Sequence, residues 1–133
     1  MKIILTPEES EKHFHNALCN GSDLAQYGGI SYSEKDYKKA KSNIQKQMDS
    51  GKIPKDTICY EDVWMQILRD GGTLKYKDNS GYDMNKNITL YKVHNRVAKT
   101  PMHHLLDAIN ENDDGYTALS ILQTVIFGKE IFG

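Results

Sequence analysis

Five segments of the chain carry apolar residues at the spacing of an amphipathic helix, one every three or four positions. The first follows Thr6 and Pro7, a capping residue and a proline suited to the first helical position, and Glu9 completes a capping box. Ser33 is a cap for the second segment, and Thr100 with Pro101 is another cap-plus-proline start, for the fourth. In the fourth segment one apolar face is predicted, formed by Met102, Leu105, Leu106 and Ile109. Most of the segments end at a glycine, as helices commonly do. Helices are therefore predicted within residues 6–21, 33–51, 57–72, 100–110 and 116–128.

Short extended segments are predicted beside these helices. Residues 2–5 are a short apolar run, and residues 73–77 alternate between apolar and polar as a strand does. A terminal strand is predicted for residues 129–132. The segment 88–98 fits two structures equally well. It is either a short helix capped by Thr89 or a return strand.

The remaining segments predict loops, and the whole pattern predicts a fold class. Residues 22–32 are interpreted as a loop with a breaker at Gly28-Gly29, and residues 78–87 as a polar turn. Together the elements predict an α+β fold, predominantly helical, with about five to six helices and a small antiparallel sheet or hairpin. The length of 133 residues predicts a single domain covering residues 1–133.

Composition bears on location and on the cysteines. A hydrophobic content of 38% and a charged content of 26% are typical of a soluble globular protein. No apolar run approaches the roughly 18 residues of a membrane span, and the apolar start of "MKIILTPEE" is too short for a signal peptide. A cytoplasmic location is therefore expected. Cys19 and Cys59 form no disulfide pattern and have apolar neighbours, so both are predicted to be buried free thiols.

Positive charge is concentrated in one part of the chain. The net charge is −1, yet residues 32–55 contain seven lysines and three acidic residues and therefore carry +4. Most of these lysines fall on the second predicted helix, where they form either a solvated face or a contact surface for a protein partner or a nucleic-acid backbone. A whole-chain charge of −1 and only two arginines argue against strong DNA binding. The candidate contact residues are Lys35, Lys38, Lys39, Lys41, Lys46 and Tyr37.

The stretch "NENDDG", residues 110–115, resembles the first half of an EF-hand calcium loop. With Gly115 aligned as the sixth loop position, the first position is the neutral Asn110, and the bidentate glutamate is replaced by Ile121. Such a loop offers too few oxygens and too little charge for calcium. We therefore predict the turn of a helical hairpin, in which Asp113 or Asp114 caps the last helix.

The same two helices do not predict a DNA-reading helix-turn-helix. The second helix of that motif presents Arg, Lys, Asn or Gln to base edges. Here it offers Gln123 and no basic residue, so we expect this helix to be buried.

Two pairs at i, i+4 spacing offer potential metal ligands, namely His15 with Cys19 and His103 with Asp107. A zinc site needs three or four ligands, and the sequence has no CxxC or HExxH pattern to complete one. The sequence therefore predicts no metal site and no cofactor.

Catalytic motifs are also missing from the sequence. There is no nucleophile elbow, phosphate-binding glycine loop or dinucleotide-binding fingerprint. Glu61 and Asp62 are interpreted as first-turn acids that stabilise a helix start rather than as a catalytic pair. The sequence argues against an enzyme, and a deep pocket lined by converging His and Asp side chains would favour one.

Several segments together resemble a family of small uncharacterised proteins of bacterial phages and mobile elements. They are "ALCNG", "DYKKAK", "CYEDVWMQILRDGG", "VHNRVAKTPMHHLLDAINENDDG" and "ALSILQTVIFG". The resemblance covers most of the chain and implies no catalytic residue. What it implies is a context, because accessory proteins of this kind often bind host or phage macromolecules.

These observations lead to two functional hypotheses. The first is a non-catalytic phage or mobile-element accessory protein that binds a protein partner, or a second copy of itself in a homodimer, and has no membrane association. The alternative is a nucleic-acid-binding accessory protein that uses the lysine-rich helix 33–50.

Overall fold

Helices and a small sheet alternate along the chain in the computed structural model, which describes residues 2–21, 28–79 and 84–132. Within these residues the sequence folds into six α-helices, a 3-10 helix and three strands. The predicted class, α+β with a predominance of helix and a small antiparallel sheet, is confirmed. In chain order the elements are α1 (Pro7–Asn20), β1 (Gly28–Ser31), α2 (Glu34–Asp49), α3 (Tyr60–Arg69), β2 (Leu74–Asp78), β3 (Lys86–Ile88), α4 (Leu90–Arg96), the 3-10 helix (Val97–Lys99), α5 (Met102–Ile109) and α6 (Gly115–Phe127).

The sheet is antiparallel, with strand order β1-β2-β3. Strand β2 was predicted within residues 73–77, but β1 falls in a segment predicted as a loop because of its two glycines. Gly28 is needed for a close approach. A Cβ placed on it would lie 2.6 Å from Cζ of Tyr76 and would overlap the carbonyl oxygen of Lys77. The glycine that signals a breaker in sequence therefore lets β1 pack against β2.

Helix α6 lies at the centre of the core. Every residue from Thr117 to Ile126 is buried, including the polar Thr117, Ser120, Gln123 and Thr124. Helix α1 packs against it through its apolar stripe, which includes Phe14 and Ala17. A recognition helix of a DNA reader needs an exposed face, so α6 does not serve that role.

The predicted caps of α1, α2 and α6 are confirmed in their hydrogen bonds. Glu9 N–H donates to Thr6 Oγ1 at 3.1 Å, and Thr6 N–H donates to Glu9 Oε1 at 2.9 Å, which completes the capping box of α1. Ser33 caps α2. Of the two candidates for the α6 cap, Asp114 is the residue that accepts from Thr117 N–H, at 2.9 Å. Its carboxylate is thus engaged by the backbone in the hairpin turn.

The ambiguous segment 88–98 is helical apart from its first two residues. Ile88 is the last residue of β3, paired with Leu74. Thr89 then caps α4, because its hydroxyl accepts from Lys92 N–H at 3.3 Å. The two interpretations competed because the chain changes from strand to helix across a single residue.

Both terminal strand predictions were wrong. Residues 2–5 and 129–132 are not part of the sheet. At the C-terminal end the amides of Ile131 and Phe132 donate to Oε1 of the buried Gln123, at 2.7 and 2.6 Å. A single side chain of α6 thus satisfies backbone groups that would otherwise pair with a strand.

The start of α5 also differs from the prediction. Thr100 was expected to cap this helix, but the N-cap is Pro101, and α5 has no side-chain cap bond. The Thr100 hydroxyl is buried without a hydrogen-bond partner among the described residues.

The polar turn predicted for residues 78–87 lies partly outside the described residues. None of the helices in the described part of the chain is long and apolar enough to cross a membrane.

Candidate functional site

The five predicted contact lysines of α2 are all exposed to solvent. Two of them have local partners: Lys38 pairs with Glu34 at 3.0 Å, and Lys41 Nζ lies 5.7 Å from the centre of the Tyr37 ring. Tyr37 in turn stacks on Tyr32. Exposed contacts of these kinds stabilise a fold by roughly 0.5 kcal/mol each, so they leave the lysines available. A contact role stays a prediction for Lys35, Lys38, Lys39, Lys41, Lys46 and Tyr37.

A cavity of about 370 Å³ opens among α1, α2, α3 and the segment 53–58. Its volume falls within the range of small-molecule sites, about 300–1,000 Å³. Ile44 and Met48 from α2 and Met65 from α3 form the apolar part of its wall. The remaining wall includes titratable side chains from α1 and α3, namely Glu11, His15, Asp62 and Arg69.

Two polar contacts join α1 to α3 along this wall. His15 Nε2 lies 2.9 Å from Asp62 Oδ1, and Arg69 Nε donates to Glu11 Oε1 at 2.7 Å. Glu11 and His15 are four residues apart on α1, and Asp62 and Arg69 are seven residues apart on α3. Residues at these spacings share a helix face, so the two side chains of each helix lie on the same wall. The contacts occur in opposite order along the two helices, so α1 and α3 run antiparallel where they meet.

The carboxylate of Glu11 joins three helices. Its Oε1 accepts from Arg69 on α3, and its Oε2 lies 2.9 Å from His94 Nε2 on α4. Only 15% of the side chain is exposed. Burial acts to raise the pKa of Glu11, but the hydrogen bonds from Arg69 and His94 outweigh it and hold the pKa below its ordinary value. The ionised carboxylate is therefore the form that this site stabilises.

Asp62 has two roles at the start of α3. Its Oδ2 accepts from the backbone N–H of Cys59 at 3.1 Å, and from the Cys59 thiol at 3.1 Å, while its Oδ1 meets His15. Burial acts to raise the pKa of Asp62, but these hydrogen bonds bring it below its ordinary value. The predicted helix-start role is confirmed by the Cys59 amide bond. The pairing with His15 was missed, because it spans 47 residues.

Both cysteines are exposed, which corrects the expectation of buried thiols. Cys19 lies in the last turn of α1 and Cys59 is the N-cap of α3, so each thiol is at the end of a helix. Partial desolvation and the nearby Glu61, Cys59 and Asp62 raise the pKa of Cys19 to about 11. Partial desolvation and the bond to Asp62 likewise raise the pKa of Cys59. Both thiols are therefore protonated at neutral pH and are not activated nucleophiles.

His15 and Asp62 converge on the cavity wall, which is the arrangement that would favour an enzyme. A carboxylate that hydrogen-bonds an imidazole orients it as a general base. Among the described residues, however, no nucleophile hydrogen-bonds to His15, since the Cys59 thiol donates to Asp62 instead.

A second group of lysines, which was not predicted from the sequence, lies at the sheet. A depression of about 320 Å³ is lined by Lys75 and Lys77 of β2, Lys86 of β3 and Lys92 of α4. Lys92 Nζ donates to the carbonyl oxygen of Asn87 at 2.6 Å. Partial burial, together with neighbouring positive charges, lowers the pKa of Lys92. In the sequence, this lysine group is indicated by the polar positions of the alternating strand β2, where Lys75 and Lys77 are both exposed.

Helix α5 leaves an apolar stripe in solvent, formed by Met102, Leu106 and Ile109. These side chains are 38%, 41% and 40% exposed, and their i, i+4, i+7 spacing puts them on one side of the helix. On the other side Leu105 and Ala108 are buried, and α5 packs on α6. The four residues predicted as one apolar face, 102, 105, 106 and 109, are therefore divided between the core and the solvent.

The sequence indicated His15 and Cys19 as potential metal ligands but predicted no metal site, and it did not indicate the residues that His15 meets. Asp62 and Cys59 lie on another element, and no local pattern pairs them with α1. Family models, curated proteins and solved structures were compared with this chain, and none matched. The surfaces are therefore interpreted from their geometry.

Proposed function

We propose that this protein is a non-catalytic accessory protein of the phage or mobile-element type that acts by binding a protein partner. The observation that carries the proposal is the α5 stripe of Met102, Leu106 and Ile109. Partner helices are recognised through anchors at i, i+4 and i+7 that enter an apolar groove. This stripe has that spacing and is open to solvent.

The stripe is not explained by the needs of the fold. Helix α5 already contributes Leu105 and Ala108 to the core, at 1% and 6% exposure. Exposed apolar residues that cluster on one face mark interaction surfaces more often than singly scattered ones. Tyr116, 74% exposed, follows across the hairpin turn and adds an aromatic side chain of a type enriched at interfaces.

Sedimentation velocity over a range of concentrations tests whether the partner is a second copy. We expect a homodimer to dissociate when Leu106→Glu and Ile109→Glu are combined, because each places a charge within the buried interface. Lys35→Glu combined with Lys39→Glu is the matched control, since both lysines are exposed on α2. A wild-type chain that stays monomeric requires a different protein as partner. A dimer that the stripe variant leaves intact would contradict the role of α5.

A second candidate function is nucleic-acid binding, and the sheet lysines favour it. Four lysines lie around one depression, namely Lys75, Lys77, Lys86 and Lys92. They form a local positive surface on a chain whose net charge is −1. Phosphate contacts by lysine make affinity depend on salt. If this function holds, Lys75→Glu with Lys77→Glu lowers the salt slope of binding by about 1 per lost contact.

The lysine-rich helix 33–50 is tested in parallel by Lys35→Glu with Lys39→Glu. The absence of DNA and RNA binding at low salt would rule out this candidate.

A further inference from the structure

His15, Cys59 and Asp62 form a cluster of potential metal ligands at the edge of the cavity. One ligand atom from each residue lies within 4.8 Å of the others. Among the described residues they are the one such group of three or more His, Cys, Asp or Glu side chains. The residues come from two elements, α1 and the start of α3, so the fold rather than a sequence motif assembles them.

Asp62 occupies the middle of the cluster. Its Oδ1 points to His15 Nε2 at 2.9 Å and its Oδ2 to the Cys59 thiol at 3.1 Å. A tetrahedral ion with bonds of about 2.0–2.3 Å separates its ligands by about 3.3–3.8 Å. These two gaps need to widen by only a few tenths of an ångström, and the third, between the ligand atoms of His15 and Cys59, is at most 4.8 Å. Rotation of exposed or half-exposed side chains brings all three separations into the tetrahedral range.

We propose that His15, Cys59 and Asp62 bind a divalent transition-metal ion of the zinc class. An imidazole nitrogen, a thiolate sulfur and a carboxylate oxygen together match the ligand preference of zinc, whereas magnesium and calcium prefer oxygen alone. His15 binds through Nε2 as the neutral imidazole, with its proton on Nδ1. Cys59 binds as the thiolate, and its proton passes to solvent. The two anionic ligands then balance the charge of the ion.

The fourth coordination position remains open in this arrangement. His15 and Asp62 line the 370 Å³ cavity, so water reaches the ion from that side. A site with three protein ligands and an accessible position is the arrangement in which zinc holds an exchangeable water. Cys19 lies one turn beyond His15 on α1, but it is not part of the cluster.

The test uses the intact 133-residue chain after chelator treatment, titrated with Zn²⁺ by calorimetry and with Co²⁺ by absorbance. We expect one ion per chain and a thiolate-to-cobalt charge-transfer band. Cys59→Ser should abolish the band. His15→Ala should weaken Zn²⁺ affinity on the order of a hundredfold, because losing even a hydrogen-bond partner of a metal ligand lowers the affinity 10–100-fold. Serine is a preferred N-cap, so Cys59→Ser keeps the start of α3 intact.

Two matched controls separate this site from general metal binding by exposed groups. Cys19→Ser should keep the charge-transfer band, and His103→Ala should keep the Zn²⁺ affinity, while circular dichroism verifies that every variant is folded. Loss of the band in Cys19→Ser, or its persistence in Cys59→Ser, would overturn the assignment. So would Zn²⁺ binding that His15→Ala and His103→Ala change equally.

Discussion

His15 Nε2 and Asp62 Oδ1 lie 2.9 Å apart, and this contact joins α1 to α3 through two residues that are 47 positions apart in sequence. Beside it, Glu11 receives a hydrogen bond from Arg69 across the same interface. These contacts line the cavity with polar groups while Ile44 and Met48 keep part of it apolar. The α1–α3 interface therefore combines structural ion pairing with the chemistry of a binding site.

Replacing Glu11 by Gln should make the stability of the protein less dependent on pH. The pKa of Glu11 is held below its ordinary value of 4.5, so the ionised form stabilises the fold above that pH. This contribution is lost as the pH falls through the lowered pKa. We expect Glu11→Gln to reduce the free energy of unfolding by about 1–2 kcal/mol at pH 7. The deficit should shrink at pH 3. Urea unfolding at both pH values measures it, and an equal deficit at both would contradict the assignment.

The orientation of α5 can be tested with two neighbouring leucines. Leu105 is 1% exposed and Leu106 is 41% exposed. Leu105→Ala should lower the free energy of unfolding by about 2–4 kcal/mol, because it leaves a cavity in the core. Leu106→Ala should change it by less than about 0.5 kcal/mol. Chemical denaturation of the two variants provides the measurement, and equal losses would show that the stripe is packed rather than exposed.

Tyr76 carries a hydroxyl that is buried in the core. The side chain is fully buried, and its oxygen has no hydrogen-bond partner among the described residues. Burial, followed by the charge of Asp78, raises its pKa to about 12. We expect Tyr76→Phe to be neutral or to stabilise the protein by up to about 1 kcal/mol, since it removes an unpaired polar group. Thermal unfolding measures the effect, and a loss above about 1 kcal/mol would imply a partner for the hydroxyl.

A complementary prediction concerns the glycine packed against Tyr76. Gly28→Ala should lower the melting temperature, because the added Cβ would lie 2.6 Å from Cζ of Tyr76. Gly29→Ala is the matched control, since a Cβ at Gly29 meets nothing within 4 Å. Equal melting temperatures for the two variants would contradict the close pairing of β1 with β2.

Local signals predicted the elements whose hydrogen bonds are local. The caps at Thr6, Ser33 and Thr89 and the end of α6 at Gly128 follow from residues within one turn of the helix terminus. The buried face of α6 followed from its apolar composition. The helical segments and the starts of α1, α2 and α6 were therefore accessible from the sequence.

The candidate site was not accessible, since its residues meet through the tertiary fold. Nothing near His15 indicates Asp62, and nothing near Glu11 indicates His94, which lies 83 residues away. Strand β1 was missed for a related reason, because the need for Gly28 arises from Tyr76 on a different strand. The exposure of Leu106 depends on which side of α5 meets α6, and an apolar pattern alone does not decide that.

Affinity capture from a host-cell lysate tests the proposed function most directly when two matched double variants are compared. One combines Leu106→Glu with Ile109→Glu on α5, and the other combines Lys35→Glu with Lys39→Glu on α2. We expect a protein that the wild-type chain retains to be lost, by at least about tenfold, with the α5 variant and kept with the α2 variant, since buried anchors dominate interface energy. Retention of the same protein by the α5 variant, with circular dichroism showing that both variants are folded, would contradict binding through the α5 stripe.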